Sequence, residues 1–378
     1  MSRCSFSVQS LTLSEFRNYA DARFTFDARP VVIVGPNGSG KTNLLEAISY
    51  LGPGRGLRGA GLSEPAQFGG SGRWALHAAV LSGSEERRIG VGLSPGPPAK
   101  RAVRLDGENA NASDLAALVR LVWLAPAHDR LFASPRSDRR RFFDRLVLAF
   151  TPDHGAQVLA YEKAQRERQR VLDDGRWDPV WLDALEAEIA RRGGAIACAR
   201  RDALIRLQAE IDRRPDTVFP KADLSLHGPD GAAAGAADDP SDVQTRLADG
   251  LAASRRTDAL AGRMALGPHR VDFSAVHRAK QTPAARCSTG EQKALLLGVA
   301  LAQTRAVIAT EAGPDPLPLF DEVAAHLDAD RRHALADELV ALGCQAWLTG
   351  TDAELFAGFG ERAQTLRLGH AVSAESSG

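Results

Sequence analysis

"VVIVGPNGSGKTNLLEAI", residues 31–48, joins four β-branched apolar residues to a glycine-rich loop that ends in Lys-Thr, with apolar residues at helical spacing after it. Strand, loop and helix in that order are the setting in which G-x-x-x-x-G-K-[ST] cradles a phosphate chain. The glycines let successive backbone N–H groups turn inward, and the following helix adds the positive end of its dipole. Gly35, Pro36, Asn37, Gly38, Ser39 and Gly40 form the expected cradle. Lys41 brings a mobile full charge to the β- and γ-phosphates, and Thr42 brings a hydroxyl for Mg²⁺. A plain glycine turn would not need Lys-Thr at those positions, so nucleotide binding is the expectation.

A nucleotide site of this kind needs an acidic partner at the end of a buried strand. "LPLFDE" (317–322) offers Asp321 to hold Mg²⁺ and Glu322 to polarise an attacking water. Pro314, Pro316 and Pro318 crowd this strand, and proline fits poorly inside a central strand. They are expected at its entry, with only "LFDE" regular; an exposed acidic turn is the alternative. Asp321 lies 280 residues beyond Lys41, more than a compact phosphate-binding domain needs, so something large is inserted.

The insertion ends on a third motif, "CSTGEQKALLLGVALAQ" (287–303). Ser288, Thr289 and Gly290 open a helix with a capping hydroxyl and a close-approach glycine, a second place where an anion can sit. One phosphate loop and one separate anion-binding helix start suggest a composite pocket. In it, the serine–glycine motif of one subunit covers the γ-phosphate held by its partner.

Around these motifs the chain reads as follows. Strands dominate the first 110 residues ("FSVQSLTLSEF", "RWALHAAVLSG", "RRIGVGL", "RAVRLDG"). "NASDLAALVRLV" reads as a helix with a Ser or Asp cap. From about 153 to 213 the chain is helical and charged, with a break at "DDGRWDP" that predicts two antiparallel helices in a short arm. The stretch 227–240 reads as a flexible surface loop and the last residues, "AVSAESSG", as a disordered tail. The expected domains are 1–150 (phosphate loop and antiparallel β subdomain), 151–260 (helical arm and second lobe), 261–370 (serine–glycine motif and acidic strand) and the 371–378 tail.

Net charge is zero across 378 residues, so no global field draws the chain to nucleic acid or to an anionic membrane. No apolar run approaches 18 residues and the N-terminus lacks a secretory core, which predicts a cytoplasmic protein. Only six of the 47 basic residues are lysine. Arginine suits bidentate phosphate contacts, though codon bias explains the skew as well. Cys4, Cys198, Cys287 and Cys344 show neither a zinc nor a disulfide pattern.

Taken together, S-x-G-E-Q at a helix start, an Asp-Glu strand, "AAHLD" (324–328) and "WLTGT" (347–351) resemble the ABC-type ATPase head. Within that class the chain is similar to the SMC-related branch, and above all to the RecF family. "LSEFRNY" (13–19), Lys-Thr-Asn at 41–43, "RSDRRRFFDRLV" (136–147), "GPHRVDF" (267–273) and "DEVAAHLD" (321–328) follow in family order. The resemblance implies an α/β fold: a mixed sheet with the phosphate loop, an antiparallel β subdomain, a helical second lobe and a short helical arm. It implies ATP and Mg²⁺ as ligands, weak DNA-stimulated ATP hydrolysis serving as a switch, and a homodimer closed by ATP. It also implies sequence-independent DNA binding at gaps, duplex or single strands, RecR as partner, and RecO and RecA in the same repair pathway. By carry-over, Lys41 and Glu322 are catalytic, Thr42 and Asp321 hold the metal, and Asn43, Ser288, Gly290 and Glu291 join the nucleotide site. Asp328 falls at the dimer interface.

Three stretches depart from the family pattern. "GRGLRG" (54–59) keeps a basic position only at Arg58, His128 and Asp129 stand where related heads carry a phosphate-sensing glutamine, and Thr349 and Thr351 replace a switch histidine. Arg136, Arg139, Arg140 and Arg141, with Arg58, are the candidate DNA contacts. Asp138 and Asp144 interleave the run, so a solvated helix with local ion pairs is equally open. Arg270 reads either as functional or as a buried salt bridge. Two other functions are open beside repair. The nucleotide-binding subunit of a membrane transporter fits poorly with the long insertion and absent histidine, and an SMC-like structural ATPase fits poorly with the short arm.

Overall fold

The computed structural model describes residues 4–94, 100–175, 177–228, 240–310 and 313–369. In chain order the elements begin with β1 (Phe6–Phe16), β2 (Tyr19–Thr25), β3 (Val31–Val34), α1 (Lys41–Ser49), β4 (Ala75–Ser82), β5 (Glu85–Leu93) and β6 (Arg101–Leu105). Next come β7 (Glu108–Asn109), α2 (Ala112–Leu118), β8 (Leu121–Leu124), α3 (Arg136–Leu148), α4 (His154–Asp173), α5 (Pro179–Arg213), β9 (Ala222–His227) and α6 (Pro240–Ala261). The chain closes with β10 (Asp272–His277), β11 (Thr282–Pro283), α7 (Thr289–Ile308), β12 (Leu317–Phe320), α8 (Ala329–Leu342), β13 (Trp347–Gly350) and β14 (Gln364–Arg367). Two compact units result, one from the described residues of Met1–Asp129, Arg214–Pro220 and Ser288–Gly378, the other from Arg130–Arg213 and Lys221–Cys287. The boundary after Asp129, where 150 was expected, follows from α3, whose Phe142 and Phe143 stack on Phe273 of β10.

The first unit holds two sheets. One is antiparallel, in the order β2-β1-β4-β5-β6-β7; its inward rows (Leu11, Leu13, Leu76, Val80, Ile89, Val91) are buried and its outward rows are polar or small. The other is parallel, in the order β14-β3-β13-β12-β8. β3 and β12 are buried at every position, as a sheet covered on both faces requires. The α7 helix is buried nearly all round after its first turn.

Two elements differ from their sequence pattern. α2 stops at Leu118, capped by Asn111 in a box with Asp114 rather than by Ser113. The apolar run after it becomes β8 at the sheet edge. Pro318 stands inside β12, not at its entry. The cost is avoided by register: β12 pairs with β8 from Leu317 onward but with β13 only from Leu319, so the missing N–H falls on the side where no ladder has begun.

The second unit packs α4, α5 and α6 with a small sheet, β11-β10-β9. Tyr161, Ala164, Arg168 and Leu172 recur along one face of α4, and Leu182, Leu185, Ile189, Ile196, Ala203, Leu207 and Ile211 along α5, the spacing that buries one helix stripe. Inside the helices the Arg168 guanidinium is fully buried, 2.8 Å from both Glu186 and Asp258, and also donates to Leu251 O. The expected break at "DDGRWDP" falls between α4 and α5; of the loop expected at 227–240, His227 ends β9 and Pro240 starts α6, while 229–239 and the tail at 371–378 lie outside the described residues. Among the described residues no helix is long and apolar enough to cross a membrane.

A second polar knot joins α3, α4 and α5. Asp144 accepts from His154 Nε2 at 2.9 Å and from Arg200 at 2.7 and 2.8 Å. Burial pushes its carboxyl up, but His154 and Arg200 outweigh that and hold it at about 2. A carboxyl depressed below its unfolded value of about 3.9 stabilises the fold above that pH and loses the effect as pH falls toward 2. The urea midpoint of the wild type should therefore drop between pH 5 and pH 2.5 with a contribution of about 2 kcal/mol from this group. In Asp144→Asn that part of the acid dependence should vanish.

Candidate nucleotide site

The strand order dictates the site. β13 lies between β3 and β12, so the C-terminal ends of all three strands present their next residues side by side at one edge of the parallel sheet, where open α/β sheets bind ligands. After β3 the chain enters the loop at Gly35. A side chain there would come within 2.4 Å of Leu368 O and 2.8 Å of Ser39 Oγ. Gly40 caps α1 in the left-handed region at φ 101°, and a Cβ would sit 2.7 Å from both Asn18 Nδ2 and the Tyr19 hydroxyl. Only glycine meets both demands. Pro36, Asn37 and Gly38 are exposed, while Ser39 is buried and its hydroxyl has no hydrogen-bond partner.

Four expected residues meet at the mouth of this loop. Lys41 is nearly buried; its ammonium donates to Gly35 O at 2.8 Å and Pro36 O at 3.1 Å and lies 3.6 Å from Glu322 Oε1. The Thr42 hydroxyl donates to Asp321 at 2.9 Å, across 279 positions of sequence. Glu322 holds a left-handed backbone at φ 50°, a conformation uncommon for a residue with a side chain. Its carboxylate remains a quarter exposed.

Two residues without an assigned role hold this arrangement. The buried Thr349 at the end of β13 donates to Asp321 Oδ1 at 2.7 Å and accepts the Glu322 N–H at 2.9 Å. Lys293, buried on α7, donates to Glu322 O at 3.2 Å and lies 3.6 Å from Asp129. Asp129, His128, Lys293 and Asp321 line one small cavity, and His128 Nδ1 accepts the Ala125 N–H. The signals were legible only in part: Lys293 is a cation in an otherwise apolar helix run, and Thr349 a hydroxyl at a strand end.

Other expected residues are engaged elsewhere. Asn43 donates to Asn18 Oδ1 and accepts from Arg58. Arg58 also reaches Glu46, a fully buried carboxylate that Arg17 grips with two bonds. Ser288 and Gly290 face solvent at the start of α7, and a Cβ on Gly290 would meet nothing within 4 Å. The Glu291 carboxylate turns back on Ser288 to complete a capping box. Asp328 caps α8 and is mostly exposed.

Of the α3 arginines, Arg139 binds Asp272 with both ends of its fork and Arg141 pairs with Asp138, while Arg140 is half-buried and donates to Val271 O. Arg136 stays largely exposed, 3.6 Å from Asp272. Arg270 forms no ion pair among the described residues. Its neighbour His269 packs between Tyr161 and Met264 O, and burial lowers its pKa to about 4.

Residues 7–368 match the family described as the RecF/RecN/SMC N terminal domain. The chain is 49% identical to the DNA replication and repair protein RecF of Caulobacter vibrioides over 376 residues, 97% of each chain. It is also 49% identical to the protein of that name from Mesorhizobium japonicum over 367 residues, 96% of each. The chain belongs to the RecF family. A solved structure described as the recombination mediator protein RecF with ATP, in the RecFOR pathway, superposes with a TM-score of 0.84 at 20% identity and covers 99% of both chains. The fold is therefore that of RecF and the ABC-type head, with the helical second unit inserted between phosphate loop and acidic strand.

Thr349→Val keeps the volume of the side chain but leaves the Glu322 N–H and one Asp321 oxygen without their shared partner. Stability should fall by about 1–3 kcal/mol, seen as a lower urea midpoint with an unchanged slope. An unaltered midpoint would show that the hydroxyl holds nothing together.

Proposed function

We propose that this chain is an ATP-switched DNA-binding protein of recombinational repair in the bacterial cytoplasm. The observation that carries the reading is the meeting of Thr42, Asp321, Lys41 and Glu322 at the end of β3 and β12. The donor set suits the ligands. Thr42 and Asp321 offer hard oxygens to Mg²⁺. Among the described residues no cluster of three or more His, Cys, Asp or Glu could cage a metal, which fits a cation shared between protein, water and phosphate. Bound there, Mg²⁺ would neutralise charge on the phosphate oxygens. The buried, partnerless Ser39 hydroxyl and the inward Lys41 ammonium supply further polar contacts for a triphosphate.

Hydrolysis rests on Glu322. Its backbone is pinned on both sides, N–H to Thr349 and C=O to Lys293, so the carboxylate is held over the loop, where it can orient a water and take its proton. Ser288 and Gly290, exposed at the N-terminus of α7, would lie over the γ-phosphate held by a second copy. In this reading ATP joins two chains, hydrolysis is slow and releases them, and the paired form binds DNA without reading sequence. By family likeness the partner protein is RecR, with RecO and RecA acting in the same pathway.

In Glu322→Gln, ATP should bind but hydrolyse at least tenfold more slowly, so light scattering should report a doubled mass with ATP and not without it. A variant that stays monomeric with ATP overturns the paired site. Lys41→Ala should lose ATP binding in equilibrium titration, because the loop loses its full positive charge. Ser288→Arg should keep ATP binding and block pairing. DNA binding by the wild type, tested on gapped, duplex and single-stranded substrates, should require ATP.

A further inference from the structure

The antiparallel sheet of the first unit turns a row of basic side chains to solvent. Residues directly opposite in a ladder share a face, and the register places Arg23 opposite Thr12, Thr12 opposite His77, His77 opposite Gly90, and Gly90 opposite Arg104. This row crosses β2, β1, β4, β5 and β6 on the outward face, and Arg23, His77 and Arg104 are exposed. Arg88 stands on the same face two residues before Gly90 on β5. At about 4.8 Å per strand the row runs roughly 19 Å from Arg23 to Arg104, with His77 midway.

Three features separate this row from the chain's other basic residues. The side chains of Arg23, His77 and Arg104 form no hydrogen bond or ion pair among the described residues, unlike Arg139 with Asp272 or Arg141 with Asp138. Of the acids near the row, Asp106 is taken by Arg87, while Asp21 on β2 and Glu86 on β5 share the face without forming an ion pair to it among the described residues. The floor between the cations is low, since Gly90 has no side chain and a Cβ there would press on the His77 ring at 3.3 Å.

We propose that this sheet face docks the phosphate backbone of double-stranded DNA, with Arg23 and Arg104 as its principal contacts. The proposal rests on the reading of the chain as a DNA-binding protein and assigns the contact to the sheet rather than to the α3 arginine run. Charge complementarity commits the face to a polyanion. Its small, polar surface supplies no apolar anchors of the kind a membrane-surface element needs. The separation of roughly 19 Å between Arg23 and Arg104 suits two separate phosphates of a duplex rather than one compact anion. Contacts of this kind fix position without reading bases.

The test compares wild type with Arg23→Ala/Arg104→Ala and with Arg23→Lys/Arg104→Lys, using fluorescence anisotropy on a labelled duplex with ATP over a salt series. The alanine pair should weaken binding about tenfold and reduce the slope of log affinity against log salt by about two. The lysine pair should retain both, and ATP binding and ATP-dependent pairing should be unchanged in all. Wild type that binds duplex while the alanine pair keeps its slope overturns the sheet face alone, as does a lysine pair that fails equally. Wild type that binds no DNA with ATP overturns the underlying functional reading and the docking face with it. A loss confined to vesicles containing phosphatidylserine, with duplex binding intact, assigns the face to a membrane and overturns the proposal.

Discussion

The hydrogen bonds that Asp321 accepts from Thr42 and Thr349 tie together three strand ends that the chain reaches at very different times. β3 is made early, and β12 and β13 come only after the whole second unit has been traversed. The strand order resolves this. With β13 seated between β3 and β12, Thr349 is placed where it can touch both the acidic residue and the peptide that follows it. A shift of one residue in the β12–β13 register would turn Thr349 away and leave Asp321 and the Glu322 N–H short of a partner. The positive φ of Glu322 belongs to the same constraint: the chain must turn sharply after Asp321, and bonds on both sides of residue 322 hold the turn in place.

What sequence could show of this follows from which interactions are local. The phosphate loop was legible because its demands fall on consecutive backbone positions: Gly35 and Gly40 leave no room for a Cβ, and Gly38 and Gly40 hold a positive φ. Asp321 and Glu322 were legible because a buried strand announces its own end. Thr349 and Lys293 were not assigned roles, because theirs depend on which strand lies beside which, and no local pattern encodes that. Pro318 misled for the same reason. A proline is harmful only if its missing N–H faces a ladder, and the β12 ladder to β13 begins one residue later. The apolar stretch after α2 could equally continue a helix or form an edge strand, and contact with β12 decided for the strand.

The abundance of arginine acquires a structural sense from its partners. Arg168 joins Glu186 and Asp258, Arg200 grips Asp144, Arg139 grips Asp272, and Arg17 with Arg58 encloses Glu46. In each case a fork or pair of bonds meets a carboxylate that is wholly or largely buried, a task that a lysine point charge performs less well. Such pairs hold distant segments in register, and removing one partner leaves an uncompensated charge inside. Much of the arginine that composition offered to nucleic acid is thus spent on the protein itself.

Which arginines stay free is then a matter of secondary structure. On a helix, residues three or four apart are neighbours, so an interleaved acid finds its cation within one turn, as Asp138 finds Arg141. In a sheet the neighbours are the residues opposite, and a row is neutralised only if the register sets an acid across from each base. Here the register sets Thr12 against Arg23 and Gly90 against Arg104. Two exposed guanidiniums therefore lack acids directly opposite, and their charge is directed to solvent. A chain of zero net charge can in this way carry a local field that neither its composition nor its densest basic run reveals.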